Sequence, residues 1–301
     1  MTKPARALSG TAFATLLVLA LMFGANHVAA RLAFNNGVDV ATAVFFRSAL
    51  TALVITGLVL SQGHWTRLNP RQWRLLCVLG ALISIQSFCI YSAVARLPVA
   101  LALLAFNTSP IWTALWARVL FGQHPEKALL VAMPVILFGL SLALDVLGAA
   151  SGLGASAQWA RMGTGVGFAL MAAASFGLAL VLTQHQAGDI DTRLRTAVTL
   201  AFTGIVALLA VTVQGGLHLP LNALGWAGLG GLTVLYGVAF SIMFTVLPRL
   251  GVVGNSAIMN VEPVFALALA WLLLGQAVAP IQVGGALLVV GAVMALGLRR
   301  R

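Results

Sequence analysis

The residues of this sequence that could do chemistry are a few polar side chains inside long apolar runs. A polar group in an apolar interior costs several kcal/mol unless a partner or water satisfies it. Such positions are therefore the best indication of a binding site in so apolar a sequence. The ionisable candidates are His27, Arg47 and Glu262. The amides are Asn26, Gln86, Asn107 and Asn260, and the phenols are Tyr91 and Tyr236.

Glu262 and Arg47 carry opposite charges, and each has two interpretations. Glu262 lies near the middle of its apolar run, where a carboxylate can couple a proton or bind an amine. It can equally form an interhelical lock with Arg47 or an asparagine. Arg47 can hold a substrate carboxylate through two parallel hydrogen bonds. Alternatively, it braces the helices by bonding helix-end carbonyls or Glu262.

Two asparagines, Asn107 and Asn260, each precede a proline by three residues. Pro110 and Pro263 each free a backbone carbonyl and permit a kink, so they are predicted hinges. The asparagine side chains beside freed carbonyls are predicted to line a wet surface. Hydrogen bonding between helices is the alternative role of these amides.

His27 can titrate near neutral pH or make a structural hydrogen bond. Metal and cofactor chemistry is not predicted, because the sequence has no Cys or His spacing of a metal site. Its two cysteines, Cys77 and Cys89, lie about 18 Å apart on one predicted helix and cannot bridge each other. The remaining predicted substrate-binding residues are Asn26, Gln86, Tyr91 and Tyr236.

The elements that must position these residues are membrane helices. Hydrophobic residues make up 61% of the chain, charged residues only 8%, and the mean hydropathy is +1.03. A soluble domain has about a quarter charged residues, so the solvent of this chain is the lipid bilayer. The net charge of +11 comes from Lys and Arg in short connections between apolar runs, which excludes a nucleic-acid partner.

Ten transmembrane helices are predicted by cutting the apolar runs at charges, Gly/Pro clusters and amide-rich turns. Each is near the ~20 residues that an α-helix needs to cross the hydrocarbon. Backbone in lipid must satisfy its hydrogen bonds internally, and runs of this length do so as helices. The predicted spans are Thr11–Phe34, Val40–Ser61, Gln72–Ala95, Pro98–Phe121, Glu126–Leu147, Met162–Gln184, Thr192–Gln214, Ala223–Leu247, Gly251–Leu274 and Ala279–Leu298.

The distribution of positive charge predicts the orientation of these spans. With a cytoplasmic N-terminus, thirteen Lys and Arg residues fall on the cytoplasmic side and three on the other. The positive-inside rule favours this arrangement. Both termini are basic, so both are predicted to be cytoplasmic.

An internal repeat occurs at a constant offset of 153 residues. In the fourth and ninth spans, Arg96, Asn107, Pro110, Gly122 and Gln123 recur as Arg249, Asn260, Pro263, Gly275 and Gln276. Residues 1–150 and 154–301 are therefore two predicted domains of five helices each. Because five is odd, the second half is predicted to enter the membrane inverted. Inverted repeats place a substrate site at the repeat interface and work by alternating access.

These features together resemble the EamA-like members of the drug/metabolite transporter superfamily. The resemblance rests on the five-plus-five spans, Phe46-Arg47, Asn107-x-x-Pro110, Glu262-Pro263 and the Gly-Gln pairs. It implies a multi-pass carrier of the bacterial inner membrane with a central cavity, and many such carriers export amino acids or related metabolites. The chain departs from the family where Gln123 and Gln276 replace a usual glutamate, so no carboxylate role is carried over there.

The predicted function is secondary transport of a small organic solute, most directly export of amino acids or related metabolites. Protons are an open candidate for the coupling ion, and the glycine-rich fifth and tenth spans leave a homodimer open. A carrier of drugs or quaternary ammonium ions is the alternative, since Glu262 and aromatic residues suit a cation; Arg47 repels one. An intramembrane enzyme is disfavoured, because no HExxH, GxSxG or paired-aspartate pattern occurs.

Overall fold

The computed structural model describes residues 10–63, 66–124, 127–148, 151–246, 261–276 and 278–299. The regular secondary structure of these residues is helical, and no β-strand occurs among them. The helices in chain order are α1 (Gly10–Asn35), α2 (Val40–Ser61), α3 (Pro70–Arg96), α4 (Val99–Phe106), α5 (Ser109–Phe121), α6 (Lys127–Ala143), α7 (Ala155–Gln186), α8 (Thr192–Val213), α9 (Ala223–Thr245), α10 (Glu262–Leu274) and α11 (Pro280–Arg299).

Within the described ranges, seven helical segments are long and apolar enough to cross a membrane, one of them formed by α4 and α5 together. Three further apolar stretches are shorter: Leu130–Ala143, Glu262–Leu274 and Pro280–Ala295. The prediction of an all-helical, multi-pass protein is confirmed for this part of the chain.

The predicted helix boundaries hold best where a polar cap precedes an apolar run. The second span, Val40–Ser61, has the predicted bounds, and Asp39 caps it by accepting a hydrogen bond from the Thr42 N–H at 3.1 Å. The sixth span begins at Ala155 instead of Met162. Its extra turns contain the polar Gln158, which resembles loop sequence but is buried and donates to the carbonyl of Leu144 at 3.2 Å.

The fourth predicted span is present as the apolar segment Val99–Phe121, but its helix is interrupted between α4 and α5. The break lies at Asn107 and Thr108. Pro110 has no N–H to donate to the carbonyl of Phe106, and its ring hinders continuation of the helix. Pro110 instead lies in the first turn of α5, a position that proline tolerates.

The ninth span repeats this arrangement where it is described. α10 begins at Glu262, 153 residues after Ser109 at the start of α5, and Pro263 occupies its first turn. The earlier part of the predicted ninth span, residues 251–260, lies outside the described residues. The two prolines thus stand at equivalent helix starts.

Helices of one half pack against helices of the other in reciprocal pairs. α1 contacts α9, and the repeat-related helices α7 and α3 also contact each other. Likewise α10 contacts α1 as α5 contacts α7, while α2 pairs with α8 and α6 with α11. Reciprocal contacts of this kind arise when two units are related by a two-fold axis. The described helices therefore form a two-repeat architecture with the halves interleaved.

Two repeat-related glycines lie at close helix crossings. A Cβ atom on Gly24 would lie 3.1 Å from the backbone nitrogen of Ala266, and one on Gly177 would lie 2.9 Å from that of Thr113. Both pairs obey the 153-residue offset. Small residues are needed wherever helices approach so closely. The glycines therefore allow α1 to contact α10 and α7 to contact α5.

The Gly-Gln pairs end α5 and α10 in the same way. Gly122 and Gly275 adopt the left-handed conformation with φ of 66° and 63°. The glutamine that follows each glycine donates its backbone N–H to the carbonyl six residues earlier, at 3.2 Å in α5 and 3.1 Å in α10. This is a Schellman cap, which explains the repeated dipeptide as a helix stop.

Candidate functional site

Arg47 of α2 lies at the centre of the candidate site. It is only 2% exposed, and its Nη2 donates a hydrogen bond to Oγ of Ser87 at 2.7 Å. Its Cζ atom lies 4.7 Å from the ring centre of Tyr91 and 4.2 Å from that of Tyr236. The buried Nε has no hydrogen-bond partner. The guanidinium thus lies over two aromatic rings and has donor capacity left over.

Hydrogen bonds hold one of these rings in place. The hydroxyl of Tyr91 donates to Oδ1 of Asn26 at 2.8 Å, and the amide of Asn26 donates to the backbone carbonyl of Leu232. Phe34 packs edge-on against Tyr91 with ring centres 5.9 Å apart. Asn26 and Tyr91 therefore form a rigid wall beside Arg47 that connects α1, α3 and α9.

Glu262 pairs with His27 rather than with Arg47. Nε2 of His27 lies 3.4 Å from Oε1 of Glu262. Within the described residues Arg47 has no ion-pair partner, so the predicted Glu262–Arg47 lock is not formed there. Glu262 is the first residue of α10, where the helix dipole favours a negative charge.

His27 also connects this pair to Arg47. Its ring centre lies 5.6 Å from that of Tyr91, whose other contacts include the guanidinium. The Nδ1 atom of His27 is buried and has no hydrogen-bond partner. One continuous cluster therefore contains a cation, a carboxylate and an imidazole.

The second ring over Arg47 belongs to an aromatic group from two helices. Tyr236 of α9 lies 4.6 Å from Phe240 and 6.1 Å from Phe23 of α1, between ring centres. Phe23 and Phe240 are themselves 5.8 Å apart and nearly perpendicular. This group provides an apolar surface directly beside the guanidinium.

The other predicted site residues lie at the margin or outside the described chain. Gln86 touches the cluster through Ser87, whose Oγ donates to its Oε1 at 3.4 Å. Asn107 ends α4, and its side-chain Nδ2 has no hydrogen-bond partner. Asn260 lies outside the described residues. Pro110 and Pro263 stay predicted hinges at the starts of α5 and α10.

Sequence reasoning missed Ser87, Ser48 and Thr51. All three are fully buried, and the hydroxyls of Ser48 and Thr51 have no hydrogen-bond partner. A helical hydroxyl usually bonds a carbonyl in its own helix, so serine and threonine in an apolar run carry little information. The available signal for Thr51 was its spacing of four residues from Arg47 along α2, since residues four apart share one helix face.

Loops of opposite halves meet at one end of the bundle in what we call the first clasp. It joins the α1–α2 loop to the α8–α9 loop. Asp39 accepts a hydrogen bond from Gln214 at 2.5 Å and lies 3.8 Å from His218, while Asn222 donates to Asn36 at 2.7 Å. The clasp ties the two halves together on that side of the site.

The second clasp joins the α2–α3 and α7–α8 loops, which are the repeat-related loops. Gln72 donates to Asp189 at 2.8 Å, and Arg193 donates to Gln62. Because the α1–α2 and α2–α3 loops lie at opposite ends of α2, the clasps lie at opposite ends of the bundle. The polar cluster is thus enclosed between two sets of contacts across the repeat interface.

Apolar helices of membrane-spanning length, reciprocal packing of two repeats and a buried polar cluster define a multi-pass integral membrane protein with an internal site. The sequence model of the EamA-like transporter family matches residues 10–144 and again residues 163–298. The chain therefore belongs to this family of the drug/metabolite transporter superfamily, and it is a membrane transporter.

A solved crystal structure has the same overall fold. It is similar to the chain with a TM-score of 0.65 and 18% sequence identity, covering 97% of this chain and 99% of that one. At this identity the likeness concerns the fold alone. None of the curated proteins compared with the chain matches it.

Proposed function

We propose that this transporter is a secondary exporter of amino acids or closely related zwitterions. The observation that carries the proposal is the state of Arg47, a buried cation without a carboxylate partner in the described chain. A charge removed from water is costly unless it is paired. A substrate carboxylate would supply the pairing that the protein leaves out.

The hydrogen-bond capacity of Arg47 fits this role. A guanidinium has five N–H donors, and one of those of Arg47 goes to Ser87. Nη2 has two N–H groups, one of which goes to Ser87, and the unpartnered Nε–H lies on the same edge as Nη2, so a carboxylate can be bound there by two parallel hydrogen bonds. Tyr91 and Tyr236 contact the guanidinium through their ring faces, so they do not use its N–H donors in these contacts.

The other parts of a zwitterion also have partners near Arg47. Glu262 can accept the ammonium group, with Gln86 and Asn107 at the margin of the cluster. The aromatic group of Phe23, Tyr236 and Phe240 suits an apolar side chain. Phenylalanine is therefore the first substrate to test.

We infer that transport proceeds by alternating access in a bacterial inner membrane. The proposal includes ten crossings, cytoplasmic termini, and an inverted relation between residues 1–150 and 154–301. In this arrangement the first clasp faces outward and the second faces the cytoplasm. Opening one clasp at a time would expose the polar cluster to one side.

The inverted arrangement can be tested with two repeat-related loop positions. Thr66 and Leu219 are both exposed and are 153 residues apart. Single cysteines there, in a chain with Cys77 and Cys89 changed to serine, should react with impermeant reagents from opposite sides. Labelling from the same side would contradict inversion.

The function itself is tested by flux into proteoliposomes. We expect radiolabelled phenylalanine or another amino acid to move down an imposed gradient faster than in protein-free vesicles. The competing function, a carrier of lipophilic cations, is favoured by Glu262 beside aromatic rings and opposed by the positive charge of Arg47. Flux of tetraphenylphosphonium without flux of any amino acid would reverse the assignment.

A further inference from the structure

The His27–Glu262 pair has a geometry that a simple structural lock does not require. The two side chains meet across the α1–α10 contact at 3.4 Å, at the point where Gly24 brings these helices together. Neither is sealed off completely, since the side chains of His27 and Glu262 are 11% and 24% exposed. The pair also adjoins Tyr91 and, through it, Arg47.

We propose that this pair holds one exchangeable proton, and that the ammonium group of the substrate displaces it. This inference rests on the proposed function, because it concerns the same site. The empty carrier has one proton between imidazole and carboxylate. The loaded carrier has the substrate ammonium on Glu262 and a neutral His27, and the proton has left to the solvent on the open side.

The charges of the cluster explain why the two cations exclude each other. With the proton present and no substrate, the cluster contains Arg47, one carboxylate and one proton. Binding a zwitterion adds one positive and one negative charge. If the proton stayed, imidazolium and ammonium would share a single carboxylate next to Arg47, in an interior that screens charge poorly. Loss of the proton leaves two opposite pairs and a neutral site.

The groups around the pair support this assignment. The charged or titratable residues that face it are Arg47 of α2, Tyr91 of α3 and Tyr236 of α9, and Arg31 follows one turn later on α1. The described parts of α4 and α11 that pack on α10 contribute no titratable side chain before Arg299. Glu262 is therefore the carboxylate that pairs with the protonated His27 in the empty carrier and with the ammonium group in the loaded carrier.

The free Nδ1 of His27 matters for release of the proton. Because this buried atom has no hydrogen-bond partner, no internal bond holds the imidazole in its protonated form there. The exchange is then one proton inward for each amino acid outward. The proton and the amino acid occupy this site in turn. The transport cycle therefore needs neither an empty, unprotonated carrier nor a carrier that holds both.

Proton release on binding tests the proposal directly. Purified protein in weakly buffered detergent solution at pH 6 would be mixed with phenylalanine, and the proton yield measured with a pH dye. We expect close to one proton per phenylalanine bound. By linkage, the Kd for phenylalanine should fall roughly tenfold per pH unit as pH rises through this range.

A matched ligand isolates the ammonium group. 3-Phenylpropanoate has the same ring and carboxylate but no amine, so we expect it to bind without proton release and without this pH dependence. Equal proton release by both ligands would overturn the competition. If wild-type protein binds no amino acid at all, the proposed function fails instead, which is a separate outcome.

Variants identify the residues that hold the proton. We expect His27→Leu to bind phenylalanine with no proton release and with a pH-independent Kd, and to lose uptake driven by a pH gradient. His27→Gln, which keeps a polar side chain, provides the same test if the leucine variant does not fold. The exposed His185, outside the cluster, provides the control: His185→Ala should still release one proton. Proton release that persists in both His27 variants would overturn the proposal.

Discussion

The region around Arg47 has a counterpart in the other half of the repeat. The two regions have the same backbone arrangement, but the side chains of one are polar and those of the other are mainly apolar. At the 153-residue offset the polar residues of the first correspond to apolar or small residues of the second: Arg47 to Leu200, Glu262 to Ser109, His27 to Leu180, Tyr91 to Phe244. Leu200 is only 2% exposed, and Phe244 packs in an apolar cluster with Ile55 and Val59. One region is a polar cluster, and its counterpart is mainly apolar.

The difference separates the structural features that both halves share from the polar side chains that occur in only one of the two regions. Gly24 and Gly177, like the Gly-Gln caps, occur in both halves because both helix crossings and both helix ends need them. The charges occur once. A ligand bound to such a cluster has a single orientation, which a symmetric site would not impose. Replacing polar residues with their counterparts, or making the same change at equivalent positions, therefore tests this difference.

The largest effect is expected from Arg47→Leu, which installs the counterpart residue. Removing the cation from a buried charge pair costs about 3 kcal/mol, so phenylalanine should bind roughly 100-fold more weakly. Titration of intrinsic tryptophan fluorescence measures the Kd. The exposed Arg118 near the end of α5 provides the control, because Arg118→Leu should leave the Kd within about twofold. An unchanged Kd in Arg47→Leu would remove Arg47 from the site.

Glu262→Ser should have the next largest effect and a distinctive selectivity. Serine is the residue at the equivalent position 109. Loss of the carboxylate removes the partner of the ammonium, for about 2 kcal/mol or roughly 30-fold weaker phenylalanine binding. Binding of 3-phenylpropanoate should change far less. If both ligands weaken by the same factor, Glu262 acts through the fold and not through the amine.

The close helix crossings should respond alike in both halves. Gly24→Ala and Gly177→Ala each put a Cβ within about 3 Å of a facing backbone nitrogen. We expect each to lower the free energy of unfolding by about 1.5 kcal/mol through overpacking. Thermal unfolding in detergent measures this. Gly167→Ala in α7 is the control, since a Cβ atom there would have no neighbouring heavy atom within 4 Å. Tolerance of alanine at only one of the two crossings would show that the halves are packed differently.

The smallest effect is expected from Tyr91→Phe, again the counterpart residue. The ring over Arg47 remains, but Oδ1 of Asn26 loses the hydrogen bond that it accepts at 2.8 Å. This costs about 1 kcal/mol, or roughly fivefold in the Kd for phenylalanine if the wall positions Arg47. Tyr236→Phe is the matched control, because no hydrogen bond of its hydroxyl occurs in the described structure. A larger effect of Tyr236→Phe would reverse the roles of the two rings.

Helix positions were predictable to the extent that lipid constrains the backbone. α2 has the predicted bounds, and the all-helical fold follows because a chain in hydrocarbon must bond its own carbonyls. The break between α4 and α5 was predicted only as a hinge at Pro110. Hydropathy is insensitive to such a break, since the interrupted segment stays apolar throughout.

By itself, the sequence determined the helical segments, the repeat, the family and the set of polar residues that the interior must accommodate. Only the tertiary structure decided which of them meet: Glu262 contacts His27 and not Arg47, and Ser87 is the hydrogen-bond partner of Arg47. The reason is geometric. A side chain's depth in the membrane follows from its position along one helix, whereas its partner depends on how separate helices rotate and cross.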